Sequence, residues 1–117
     1  MAGTDVTIYH NPRCSKSRNA LALLKEHGVE PTIVEYLKQP PDKAMLKSIL
    51  GKLGIKPEQI VRRGEDAFKQ NYKGKSLSDD EWIEALVQHP ILIERPIVVS
   101  GERAVIGRPP ENVLALV

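Results

Sequence analysis

Strand, turn, helix and strand follow one another between Val6 and Tyr36, and that order leaves few folds open. Val6-Thr7-Ile8-Tyr9 alternates apolar and polar residues, the period of a half-buried strand. His10-Asn11-Pro12-Arg13 then breaks the run with turn chemistry. From Ser15 to His27 the chain is rich in Ala, Leu, Lys and Arg, which predicts a helix, with Gly28 placed to end it. Thr32-Ile33-Val34-Glu35-Tyr36 reads as the second strand. Two strands joined by a helix lie parallel in one sheet, with a right-handed crossover.

The rest of the chain has to cover and extend that pair. Gln39-Pro40-Pro41-Asp42 is a turn whose Asp42 can cap a helix carrying Leu46, Ile49, Leu50 and Leu53 on one face. Pro57 suits the first turn of a further helix, predicted to run through Ile60 and Val61 to Arg62 and Arg63, and Glu65 to Asn71 predicts another short one. Ser78-Asp79-Asp80-Glu81 is a capping box, opening a helix with Trp82, Ile83, Leu86 and Val87 inward that stops near His89-Pro90. Ile97 to Ser100 and Ala104 to Ile106 predict a hairpin turning at Gly101-Glu102, and Pro109-Pro110 opens a last helix. The sum is βαβ, a helical insert, then ββα. This is an α/β chain with a mixed four-stranded sheet, the thioredoxin-like arrangement, and its length of 117 residues fits one domain spanning 1–117.

Composition excludes several classes. A net charge of +2 with both signs interspersed offers no basic stripe for a nucleic-acid backbone. No apolar run approaches the roughly 20 residues that span a membrane. The opening Met1-Ala2-Gly3-Thr4-Asp5 has neither the charged nor the apolar region of a secretory signal. One cysteine cannot close an internal disulfide, so a reducing, cytoplasmic setting is expected. One cysteine with three scattered histidines also gives no metal-ligand spacing.

That one cysteine, Cys14, falls between the first strand and the first helix, where this arrangement keeps its reactive thiol. A lone cysteine can equally be a small core hydrophobe. Its position favours a nucleophile, because unpaired N–H groups and the positive end of the macrodipole at a helix start stabilise a thiolate. In such places a thiol pKa of about 8.5 drops to about 3.5–7.5. Arg13, Lys16 and Arg18 bring charge nearby, and Ser15 and Ser17 bring hydroxyls. His10 lies on the same turn, either as a strand-end histidine bound to backbone or as a group that biases Cys14 towards thiolate. His27 and His89 sit at predicted helix ends and read as partners of the helix dipole. Arg95 precedes Pro96 and a strand, where thioredoxin-like folds place a cis-proline facing the thiol. Arg108 follows the hairpin, and Arg62 lies in the insert. Three guanidinium groups converging on a thiolate would cradle an oxyanion, since the planar fork matches such ligands bidentately.

His10-Asn11-Pro12-Arg13-Cys14-Ser15-Lys16-Ser17-Arg18 resembles the His-x-x-x-Cys-x-x-x-Arg motif of the glutaredoxin-dependent arsenate reductases, the ArsC family. His89 to Val99, with Glu94-Arg95-Pro96 at its centre, looks like that family's second signature, and Gly107-Arg108-Pro109 like its third. The likeness runs from Val6 to Leu116. It implies a monomeric cytoplasmic enzyme without a bound cofactor, in which Cys14 attacks arsenate. Glutathione, the cosubstrate, then attacks the thiol-arsenate adduct, arsenite leaves, and glutaredoxin resolves the mixed disulfide. The family's arginine triad falls on Arg62, Arg95 and Arg108, with Arg63 standing next to Arg62, and its thiol-assisting histidine falls on His10. The sequence stops at Val117, without the charged C-terminal extension of the plasmid-encoded enzymes, and Arg13, Ser15, Lys16 and Ser17 replace the small residues those enzymes place around the cysteine. Both features point to the short, chromosomally encoded branch.

Three other readings compete. The phosphatase-like arsenate reductases need Cys-x5-Arg and further cysteines, but Ala20 occupies the arginine position and no other cysteine exists. Spx-like regulators that bind RNA polymerase use Cys-x-x-Cys, whereas Ser17 stands at the second cysteine position. A general glutathione-dependent thiol reductase needs the same low-pKa cysteine and stays open as an alternative.

Overall fold

The computed structural model of the protein describes residues 6–116. The opening segment read for a targeting signal, Met1 to Asp5, and the final Val117 lie outside the described residues. The chain divides into two compact units. One combines the chain up to Gln39 with the chain from Arg95 onward, and the other is Pro40–Glu94.

The first unit holds the sheet. β1 (Val6–His10), β2 (Thr32–Glu35), β3 (Ile97–Ser100) and β4 (Arg103–Ile106) lie in the order β2-β1-β3-β4. β1 runs parallel to β2, and the β1/β3 and β3/β4 pairs are antiparallel, so the sheet is mixed. The crossover is α1 (Ser15–Glu26). Its end follows the sequence signals: the His27 ring bonds the Leu23 carbonyl at 3.0 Å, and Gly28 takes φ +78, a left-handed conformation open to glycine at no steric cost. Val6 and Ile8 from β1, Ala20 and Leu24 from α1 and Val98 from β3 pack with Val113 and Leu116 into one buried cluster. Each of the larger aliphatic side chains there stabilises the unit by about 1.5–3 kcal/mol. The hairpin turns at Gly101-Glu102 as expected, with Ser100 opposite Arg103. This is the thioredoxin-like fold that the order of elements implied.

Pro110–Leu116 departs from expectation, because it is a 3-10 helix and not an α-helix. The Asn112 N–H bonds the Pro109 carbonyl three residues back, and its side-chain amide takes the Ile106 and Arg108 carbonyls, which sets the tighter winding at the start.

The second unit contains α2 (Lys43–Leu53), α3 (Asp66–Asn71) and α4 (Asp79–Gln88), with 3-10 turns at Pro57–Ile60 and Pro90–Leu92. Asp42 accepts the Met45 N–H at 2.8 Å, and the Ser78/Glu81 capping box closes in both directions. The helix expected to carry Arg62 and Arg63 ends early. Val61 instead pairs with Ile93 in an isolated antiparallel bridge, the Arg62 N–H donates to the Leu92 carbonyl at 2.7 Å, and the Glu94 N–H to the Ile60 carbonyl at 2.8 Å. Those bonds draw the backbone at Val61 out of helical geometry, so Arg62 lies outside any helix.

Candidate active site

Cys14 is the residue that caps α1, at φ −96 and ψ 123. The turn before it is built by Asn11: its carbonyl accepts the Cys14 N–H at 3.0 Å and its side-chain oxygen accepts the Arg13 N–H at 3.0 Å. The Cys14 carbonyl accepts the Arg18 N–H at 3.0 Å and opens the helix. The thiol is left half-buried.

Two loops from the far end of the chain meet it. Arg108 Nη2 stands 3.6 Å from Cys14 Sγ, and Arg108 Nε donates to the Arg95 carbonyl at 2.7 Å, which fixes the guanidinium plane. Arg95 also bonds the thiol through its own guanidinium, and Tyr36 bears on the same group. Arg95-Pro96 is cis, as expected, and Arg108-Pro109 is cis as well. Gly107 locks the two loops together. Its N–H donates to the Pro96 carbonyl at 2.8 Å, and a Cβ there would stand 2.9 Å from Pro96 Cγ.

Burial alone would push the Cys14 thiol up. The backbone N–H of Ser17, the Arg95 guanidinium and the Lys16 N–H outweigh it, and the net direction is down, towards thiolate. Burial likewise works against the Arg95 charge, but Cys14 and Tyr36 hold its pKa up. The cations acting on the thiol therefore differ from those picked by proximity in sequence. Arg13, Lys16 and Arg18 have exposed side chains, Arg18 bonds the Pro12 carbonyl at 3.0 Å, and Lys16 contributes through its N–H.

His10 enters one step removed. Its Nδ1 shares a 2.6 Å hydrogen bond with the Ser17 hydroxyl, which also accepts the Asn11 N–H at 3.1 Å. Ser17 is fully buried and His10 nearly so. Burial lowers the His10 pKa against the pull of Glu35, and the Arg18 charge lowers it further.

Arg62 belongs to the second unit, where Nε meets Glu65 at 3.2 Å and Nη1 meets Glu94 at 2.8 Å. Arg63 is engaged otherwise: its guanidinium lies 5.3 Å from the Phe68 ring centroid and 5.9 Å from that of Trp82, and it pairs with Glu58. Sequence reasoning missed Tyr36, whose place at a strand end carries no chemical signature, and the locking role of Gly107. Among the described residues no cluster of three His, Cys, Asp or Glu could hold a metal ion, and no helix is long and apolar enough to cross a membrane.

The family model described as the ArsC family matches residues 9–116. The chain belongs to the ArsC family. Among its curated relatives, the uncharacterized protein YfgD of Escherichia coli K12 is 53% identical over 114 residues, 96% of each chain. A protein of Neisseria meningitidis named arsenate reductase is 43% identical, covering 96% of this chain and 97% of the relative. Among solved structures, the arsenate reductase from Vibrio cholerae superposes with a TM-score of 0.93 at 45% identity, over 97% of this chain and 98% of that one. As an ArsC-family member, the protein holds its cysteine between the first strand and the first helix, against arginines from the two proline loops.

Proposed function

We propose that this protein is an arsenate reductase driven by glutathione and glutaredoxin, with Cys14 as the nucleophile. The observation that carries the reading is the pairing of a thiol of lowered pKa with two guanidinium groups, Arg95 and Arg108. The names of its relatives support the same substrate. In this reading Arg95 and Arg108 bind the oxyanion bidentately and neutralise the charge that builds as sulfur approaches arsenic. Arg62, the third arginine that the reading assigns to arsenate, pairs with Glu65 and Glu94 within the second unit. His10 acts through Ser17, holding the helix start whose N–H groups favour the thiolate.

The chemistry closes in three steps. Cys14 sulfur displaces one arsenate oxygen, which leaves as water after protonation, and an S–As bond forms. A glutathione thiolate then attacks Cys14 sulfur. The S–As bond breaks with its electron pair going to arsenic, so As(V) becomes As(III) and leaves as arsenite, and a Cys14–glutathione disulfide remains. Glutaredoxin takes the glutathionyl group by thiol–disulfide exchange and frees the thiolate. With no second cysteine in the chain, the oxidised thiol depends on these outside thiols. The reaction is proposed to run in the cytoplasm on a monomer.

Omitting one reductant at a time from the purified system tests the coupling. The proposal expects arsenite only when glutathione is present. Without glutaredoxin it expects a stalled protein, heavier by one glutathionyl group on Cys14. Full turnover without glutathione would contradict it.

A further inference from the structure

We infer that Tyr36 is a positioning residue for the thiol reaction: its buried hydroxyl holds the Arg95 guanidinium over the end of β1, where that fork meets Cys14 and the incoming oxyanion. This rests on the reading that Arg95 serves Cys14 and its oxyanion. The sheet brings the pair together. β1 and β2 run parallel and end on the register partners His10 and Glu35, so Tyr36 leaves the sheet at the end where the Asn11 turn carries Cys14. β3 runs antiparallel to β1, with Ile97 opposite Tyr9, so Arg95-Pro96 enters the sheet at that same end. In the order β2-β1-β3-β4, β1 lies between them. Tyr36 and Arg95 thus start two strand spacings, about 9.5 Å, apart. Their side chains meet over the strand that leads into Cys14.

Tyr36 is 1% exposed, a depth at which a phenol needs a partner for its hydroxyl. The Arg95 guanidinium meets that hydroxyl as well as the Cys14 sulfur, and Arg95 Nε and Nη1 are themselves shut off from solvent. Arg95 has need of such an anchor. Its backbone is fixed at the carbonyl, which accepts from Arg108 Nε at 2.7 Å, but the side chain beyond is long and gives up much rotamer freedom when ordered. The Tyr36 ring has few torsions and is closely packed, so it makes a rigid post for the far end of that side chain. Its effect on the sulfur runs through Arg95. Arg95 is among the groups that lower the Cys14 pKa, and Tyr36 is among those that hold the charge on Arg95 against burial. An uncharged acceptor suits this place. A carboxylate there would neutralise the fork and repel an oxyanion, whereas a hydroxyl orients the fork and leaves its charge for the ligand.

Tyr36→Phe removes the acceptor and keeps the ring, so the packing is spared. Two measurements read the effect. The pH midpoint of Cys14 alkylation should rise, by less than in Arg95→Ala, and kcat/KM for arsenate should fall about tenfold, the loss of one hydrogen bond to a charged group. Both effects should vanish when Tyr36→Phe is made in the Arg95→Ala background, because a residue that acts through another is not additive with it. A merely structural tyrosine would cost the same in either background. An unchanged or lower midpoint in Tyr36→Phe, or an equal loss with and without Arg95, overturns the inference. The alkylation measurement needs no arsenate. If the midpoint responds to Tyr36→Phe only where Arg95 is present, but arsenate is not reduced, the positioning role stands and the reductase reading fails. If arsenate is reduced and neither measurement responds to Tyr36→Phe, the reverse holds.

Discussion

Arg108 Nη2 stands 3.6 Å from Cys14 Sγ across 94 residues of sequence, so the loop after the last strand closes on the loop after the first. Arg108 also bonds the Arg95 carbonyl, and the two arginines form one electrostatic device around the thiol.

Arg95 is a guanidinium that holds the thiol pKa down, and Arg108 lies 3.6 Å from the same sulfur. Arg95→Ala and Arg108→Ala should shift the pH midpoint of Cys14 alkylation upward, and each should cost about 10²-fold or more in arsenate reduction. Linkage gives a second readout. The Cys14 pKa is lowered in the fold, so its contribution to stability is fully present above the ordinary thiol pKa of about 8.5 and is lost as pH falls through the folded value. The stability of wild type relative to Cys14→Ser should therefore grow as pH rises across that window.

His10 titrates below the ordinary 6.5, because burial disfavours its charged form. The unfolded chain binds the proton more readily. Stability from neutral His10 is complete above about 6.5 and is lost as pH falls through the folded pKa. An NMR titration of the His10 ring should give a midpoint below 6.5. His10→Ala, which leaves the buried Ser17 hydroxyl without its ring partner, should cost about 1–3 kcal/mol in urea unfolding.

Gly107→Ala should spread the two proline loops. The added methyl would meet Pro96 Cγ at 2.9 Å, Val113 at 3.2 Å and the Ala20 methyl at 3.3 Å, and Val113 and Ala20 belong to the buried cluster of the first unit. Overpacking of this kind costs about 1–3 kcal/mol. Because Gly107 adjoins Arg108 and Pro96 adjoins Arg95, reduction of arsenate should fall even at temperatures where the variant stays folded.

The neighbouring arginines of the second unit should separate cleanly. Arg62→Ala is expected to lower arsenate turnover, whereas Arg63→Ala should spare it. The Arg63 change should instead cost stability, about 0.5–1 kcal/mol for an exposed cation over the Phe68 and Trp82 rings. Thermal unfolding and arsenate kinetics on both variants distinguish the roles.

What could be read from the chain beforehand was what short-range physics controls. Asp42, Ser78 with Glu81, and Gly28 set helix ends within a few residues of themselves, and each did so. The alternation of Val6 to Tyr9 and the apolar run from Ile97 placed the strands, and the chain order then placed the cysteine. Local signals predict a helix through Arg62, because the bridge between Val61 and Ile93 that ends it joins residues far apart in sequence. Proximity in sequence points to Arg13, Lys16 and Arg18 as the thiol's cations, while Arg95 reaches it through the loop at Pro96. Tyr36 and Gly107 act through packing geometry, which composition does not carry.

Arsenite formation by the wild-type protein and by Cys14→Ser, measured side by side with arsenate, glutathione and glutaredoxin, tests the central claim. The wild type should sustain turnover, and Cys14→Ser should give none above the protein-free background. Appreciable turnover by Cys14→Ser would contradict it.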